Sequence, residues 1–141
     1  GGKRPIMPLY TNVDMRPVPS ARRCYRLGEV LADYVRTQRP EDERIVVLGA
    51  GGLSHWLGVD RQGEVNEPFD RWVLERFEAG DVDALTSLSI DAIEEQSGNG
   101  GVELINWIIM FGALGGAKAR TVYYEPLAAW WTGMGGIAIA A

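Results

Sequence analysis

Apolar positions along the chain follow helical and extended periods in turn. From Ala21 to about Gln38, Cys24, Leu27, Leu31, Tyr34 and Val35 recur at three and four residues. That spacing is one helical face, with Ser20 placed to cap the first turn and Pro40 following the end. Arg44-Ile-Val-Val-Leu48 is an apolar, β-branched run without polar alternation, which predicts a strand covered on both faces, the central strand of a parallel sheet. Pro68 near a first turn and Gly80 after a last one bound a second helix, in which Phe69, Trp72, Val73 and Phe77 share a face. Residues 81–96 predict two short helices separated near Ser89, which can itself cap, and Ser97-Gly-Asn-Gly-Gly101 predicts a loop. Nearly every side chain of 102–114 is apolar, so this helix must be buried on most sides. At about 13 residues it is shorter than the roughly 20 that cross a bilayer. Thr121-Val-Tyr-Tyr124 predicts a strand and Ile137-Ala-Ile139 another. Four prolines before residue 20 (Pro5, Pro8, Pro17 and Pro19) favour extended backbone, so residues 6–13 are expected as a strand or arm. Alternating strands and helices make the fold class α/β, with a central, mostly parallel or mixed sheet flanked by helices.

Length changes this picture little: 141 residues suit one domain, and 46% apolar residues with five Trp and five Tyr describe a globular chain. Charge narrows the partners. A net charge of -5 and a pI near 4.9 speak against nucleic acid, which needs a positive footprint. The balance is uneven, because the first 26 residues carry six basic side chains against Asp14 alone. This basic stretch is either a solvated face or a contact for an acidic partner or carboxylate substrate. Cys24 is the single cysteine, which excludes a disulfide framework or cysteine-rich metal site within the chain and suits a reducing compartment. With neither a spanning stretch nor a signal-peptide pattern, the expectation is a cytoplasmic protein that does not engage membranes.

Gly49-Ala-Gly-Gly-Leu-Ser54 follows the predicted central strand and opens like a dinucleotide-binding turn. Ser54 stands at the third glycine position, and Gly58 and Gly63 interrupt the helix that should follow, so that reading fails. What remains is the general tendency of ligands to sit beyond the carboxyl ends of strands, where His55 lies. His55 is the only histidine. Histidine is the residue type suited to exchanging protons near neutral pH, so this position is open to proton transfer or to a structural bond with nearby backbone. Glu103 is the only charge between Glu95 and Lys118. Either it meets the positive end of the following helix, or it ligates a metal with Asn106, one turn on, orienting it. Trp107, Trp130 and Trp131 fit core or interface better than a substrate platform.

Six segments occur in order: Tyr10-Thr-Asn12, Arg22-Arg-Cys-Tyr25, Gly49-x-Gly-Gly-Leu-Ser-His55-Trp56, Asn66-x-x-Phe69-Asp70, Gly101-x-Glu103-x-x-x-Trp107 and Trp131-x-Gly133-Met-Gly135. Together, and over nearly the whole chain, they resemble the type III extradiol ring-cleavage dioxygenases, the superfamily of the protocatechuate 4,5-dioxygenase β subunit. The resemblance implies a mononuclear Fe(II) held by two histidines and a glutamate, with one face open to an aromatic diol and O2. It makes Glu103 the metal ligand and His55 a catalytic acid/base that does not touch the metal. The family's two metal-binding histidines lie in its N-terminal half, whereas this chain has only His55. The chain therefore looks like the C-terminal part of one catalytic domain, residues 1–141 being half of a larger α/β unit, an expectation consistent with its Gly1-Gly2 start. Extradiol cleavage of a protocatechuate- or gallate-like ring would then need an N-terminal half or companion chain carrying two histidine ligands, in an oligomeric enzyme. The alternative is a non-catalytic structural or regulatory subunit of the same fold without the metal.

Overall fold

The structure, a computed structural model, describes residues 4–140. Its elements run α1 (Ala21–Gln38), α2 (Glu67–Ala79), α3 (Val82–Ser87), α4 (Ile90–Gly101), α5 (Leu104–Ala113), β1 (Ala119–Leu127) and β2 (Thr132–Ile139). Local chemistry sets most of the boundaries. Ser20, Asn66, Asp81 and Ser89 each accept a bond from the third backbone N–H onward, at Arg23, Phe69, Ala84 and Ala92. Gly80 closes α2 in the left-handed region at φ 72°, where a side chain would be strained.

The core forms around α5, whose residues from Leu104 to Gly112 are buried apart from Asn106, as its uniformly apolar sequence requires. On one side α1 packs so closely that glycines meet backbone. A methyl group on Gly28 would overlap the Ile109 carbonyl, and one on Gly112 would overlap the carbonyl of Tyr25. On another side Phe77 of α2 meets Phe111 edge-on, with ring centroids 5.1 Å apart. Val73, Leu85 and Ile93 complete this centre, all fully buried.

Helices and strands coexist as expected, but the sheet among the described residues is one antiparallel pair, β1 with β2, joined by a short 3-10 turn at Ala128–Trp130. The expected central parallel or mixed sheet is not among these elements. Residues 44–48, predicted as its central strand, lie outside any helix or strand. Side-chain pattern encodes which faces of a strand are apolar, whereas a strand forms only where a neighbour supplies ladder hydrogen bonds. Among the described residues no such neighbour pairs with the run, and Val46 and Leu48 stand 80% and 85% exposed. The segment at residues 97–101 also departs from expectation: it continues α4 rather than forming a loop, with a break at Gly98 (φ 83°, ψ 170°). Residues 6–13 form neither helix nor strand, and Ile6, Met7 and Tyr10 are exposed.

Candidate functional site

The loop after residue 48 folds back onto the N-terminal turn of α5, and three side chains of that turn hold it. The Gly52 N–H donates to Glu103 Oε2 at 2.8 Å, Asn106 Nδ2 donates to the Ala50 carbonyl at 3.0 Å, and Trp107 Nε1 donates to the Gly51 carbonyl at 3.3 Å. Gly51 is a glycine of necessity: it adopts φ 144° and passes so near Glu103 that an added Cβ would lie 2.7 Å from the glutamate Cβ.

Glu103 occupies the cap position of α5, yet its side chain makes no capping bond. Its Oε1 accepts no hydrogen bond among the described residues. Of the two roles open to it, the helix-end role thus lacks its bond, while one carboxylate oxygen is left uncommitted. Among the described residues Asn106 makes no hydrogen bond to the carboxylate it was expected to orient; its Nδ2 donates to the Ala50 carbonyl. Trp107 is core, whereas Trp130 and Trp131 are exposed.

His55 packs against the same glycine. A Cβ on Gly52 would come 2.9 Å from His55 Cε1, and one on Gly100 would overlap His55 Nε2. Two glycines, one from the loop and one from α4, thus make the space for the ring. His55 Nδ1 lies 2.8 Å from the Leu53 carbonyl, an acceptor only, so Nδ1 carries a proton and the neutral ring keeps its lone pair at Nε2. The His55 N–H donates to the Ser97 carbonyl at 2.7 Å, directly beside the break at Gly98, where any side chain would strike the His55 carbonyl. Asn99 then clamps Leu57, accepting from its N–H and donating to its carbonyl, each at 2.9 Å. The two roles open to His55 are therefore compatible: Nδ1 is tied to backbone, and Nε2 has no hydrogen-bond partner among the described residues. Gly52 is the residue that brings Glu103 and His55 together.

Asp70 lies in the Asn66-x-x-Phe69-Asp70 segment, where its sequence position alone gives it no role, yet this residue is 1% exposed and anchors the His55 loop. It accepts from the Ser54 N–H at 2.8 Å, from Ser54 Oγ at 2.8 Å and from the Tyr124 hydroxyl at 2.9 Å. Burial pushes its carboxyl above the ordinary range, and the Ser54 and Tyr124 bonds oppose that shift. Tyr124 is raised as well, by its own burial and by the negative charge of Asp70. A signal existed: Asp70 shares the apolar face of α2 with Val73 and Phe77, at three- and seven-residue spacing.

Beside the loop runs an apolar groove of about 380 Å³ between residues 46–51, α5 and β2, with Trp107 and Met110 among its lining. It ends at Gly51, against Glu103. Among the described residues no group of three or more His, Cys, Asp or Glu could hold a metal. No helix is long and apolar enough to cross a membrane.

The family described as the catalytic LigB subunit of aromatic ring-opening dioxygenase matches residues 2–135. This chain belongs to that family. Among its relatives are a 2,3-dihydroxyphenylpropionate/2,3-dihydroxicinnamic acid 1,2-dioxygenase of Photorhabdus laumondii, 28% identical over 92% of this chain and 55% of the relative. A gallate dioxygenase of Pseudomonas putida is 34% identical over 86% of this chain and 36% of its own length. The chain thus spans about half, or less, of these family members.

Proposed function

We propose that this LigB-family chain is the C-terminal part of an extradiol dioxygenase that opens a catechol-type ring, gallate- or protocatechuate-like, with O2. The observation that carries the reading is the meeting of Glu103 and His55 at Gly52, one side chain offering a free carboxylate oxygen and the other a free imidazole nitrogen. Glu103 would be one ligand of an Fe(II), and two histidines from an N-terminal half or companion chain would complete a two-histidine, one-carboxylate set. Bound there, Fe(II) would supply the open coordination positions for the diol and O2.

His55 does not ligate the metal in this reading. With Nδ1–H held by the Leu53 carbonyl, Nε2 takes the proton of a substrate hydroxyl and returns it later in the reaction, the work of a general acid/base. Gly52 and Gly100 lie against the ring without side chains of their own, so the imidazole has room that a larger residue at either position would take. The larger α/β domain of this proposal also accounts for the unpaired run at residues 44–48, which would become an interior strand once strands of the N-terminal half lie beside it.

The test is the full-length protein, or the chain co-expressed with its N-terminal half, assayed for iron content, oxygen uptake and ring-opened product from gallate and protocatechuate. His55→Ala is expected to lower turnover by a factor on the order of 100 to 10,000 with iron content nearly unchanged. Loss of iron with the histidine would make His55 a ligand instead. An assembly that binds no iron and consumes no oxygen would support the non-catalytic subunit.

A further inference from the structure

Three donors from two separate parts of the chain converge on one buried carboxylate, which an apolar side chain of similar size would replace at lower desolvation cost. The bonds are unevenly distributed: two of the three come from Ser54, immediately before His55. Ser54 Oγ also accepts from the Asn66 N–H at 2.7 Å, so its hydroxyl bridges the start of α2 to the loop. Ser54 and Leu53 in turn bond the Gly133 backbone of β2, through Leu53 N–H to the Gly133 carbonyl at 3.3 Å and Gly133 N–H to the Ser54 carbonyl at 2.9 Å. Gly133 is glycine because a Cβ there would overlap Asp70 Oδ2. The carbonyl that holds His55 Nδ1 belongs to Leu53, the residue before Ser54.

We propose that Asp70 is a positioning residue for His55: its carboxylate, gripping the Ser54 N–H and hydroxyl and the Tyr124 hydroxyl, fixes the 52–55 backbone so that the Leu53 carbonyl sets the imidazole tautomer and aims Nε2. Ser54 and Tyr124 act in the same unit. The inference rests on the acid/base reading of His55 given above. In this arrangement Asp70 touches neither substrate nor metal, and its effect on the reaction passes wholly through His55. Such buried networks act cooperatively, so loss of one acceptor loosens the other bonds.

The experiment is a double-mutant cycle in the full-length, iron-loaded enzyme. Asp70→Asn is expected to lower kcat about tenfold to a hundredfold with iron content retained, the scale of a misplaced reacting group. In a His55→Ala background the same substitution should change kcat less than about twofold, because nothing is left to position. Amide hydrogen exchange of residues 52–57 should quicken in Asp70→Asn, a readout independent of turnover. Equal losses in both backgrounds, or unchanged exchange in the loop, would overturn the assignment while leaving the acid/base reading of His55 standing. A His55→Ala enzyme with wild-type turnover would overturn both. Should Asp70→Asn not fold, Tyr124→Phe, which removes one bond and keeps both from Ser54, enters the same cycle with a smaller loss and the same criteria.

Discussion

At the scale of single residues, the site is a set of short-range accommodations around Gly52. Glu103 accepts from the Gly52 N–H through one oxygen and His55 donates from one nitrogen to a carbonyl, while the second oxygen and second nitrogen have no partner among the described residues. This division predicts distinct phenotypes. Glu103→Ala in the full-length protein should abolish Fe(II) binding, measured as iron per protomer, whereas Glu103→Gln should retain a weak site because an amide oxygen coordinates without charge. Full iron occupancy in the alanine variant would reduce Glu103 to a tether for the loop. The glycine-rich composition of the loop, the single histidine at 55 and the isolated charge at 103 were all legible in the sequence. The contacts between them were not, because Glu103 meets Gly52 across 51 positions of chain and nothing local encodes that bond.

Elements follow their local signals closely where those signals are local. α1 spans Ala21–Gln38, as its apolar spacing and its Ser20 cap require, and Ser89 separates α3 from α4. At residues 97–101 glycine content predicts a loop, but the backbone is helical on either side of a single break at Gly98, where the absence of a side chain admits the His55 backbone. The α1–α5 crossing makes a sharp prediction for an element. Because Gly28 faces the Ile109 carbonyl and the Ala113 N–H without space for Cβ, Gly28→Val should force the helices apart at a cost of about 3 kcal/mol. Denaturant unfolding of the full-length protein measures it, and a loss below about 0.5 kcal/mol would mean that the two helices do not pack this tightly.

For the molecule as a whole, exposed apolar surface is the governing fact. Val46 and Leu48 rim an apolar groove, β2 has β1 as its strand partner and otherwise meets residues 53–54 at Gly133, and Ile6 and Met7 of the N-terminal segment are open to solvent. Unpaired edges and contiguous apolar faces promote association. The isolated 141-residue chain is therefore expected to be insoluble, aggregated or molten, and co-expression with an N-terminal partner carrying two metal-binding histidines should restore a folded, iron-dependent oxygenase. Analytical ultracentrifugation with near-UV circular dichroism on the isolated chain checks this. A sharply folded monomer, its Trp residues in fixed environments, would show that the chain stands alone and would remove the need for a second half.

The sequence by itself determined the helices with their Ser20 and Ser89 caps, the apolar character of α5 and the candidacy of His55 and Glu103, because each depends on residue type or on neighbours within a few turns, and its apolar runs marked the strands near residues 121–124 and 137–139. Tertiary structure decided what required distant partners. It turned Asn106 toward Ala50 instead of the carboxylate, left residues 44–48 without a ladder, and buried Asp70 beneath the His55 loop. A capping serine acts on a donor three residues away, whereas a sheet or a buried carboxylate exists only when chain separated by many residues returns to meet it.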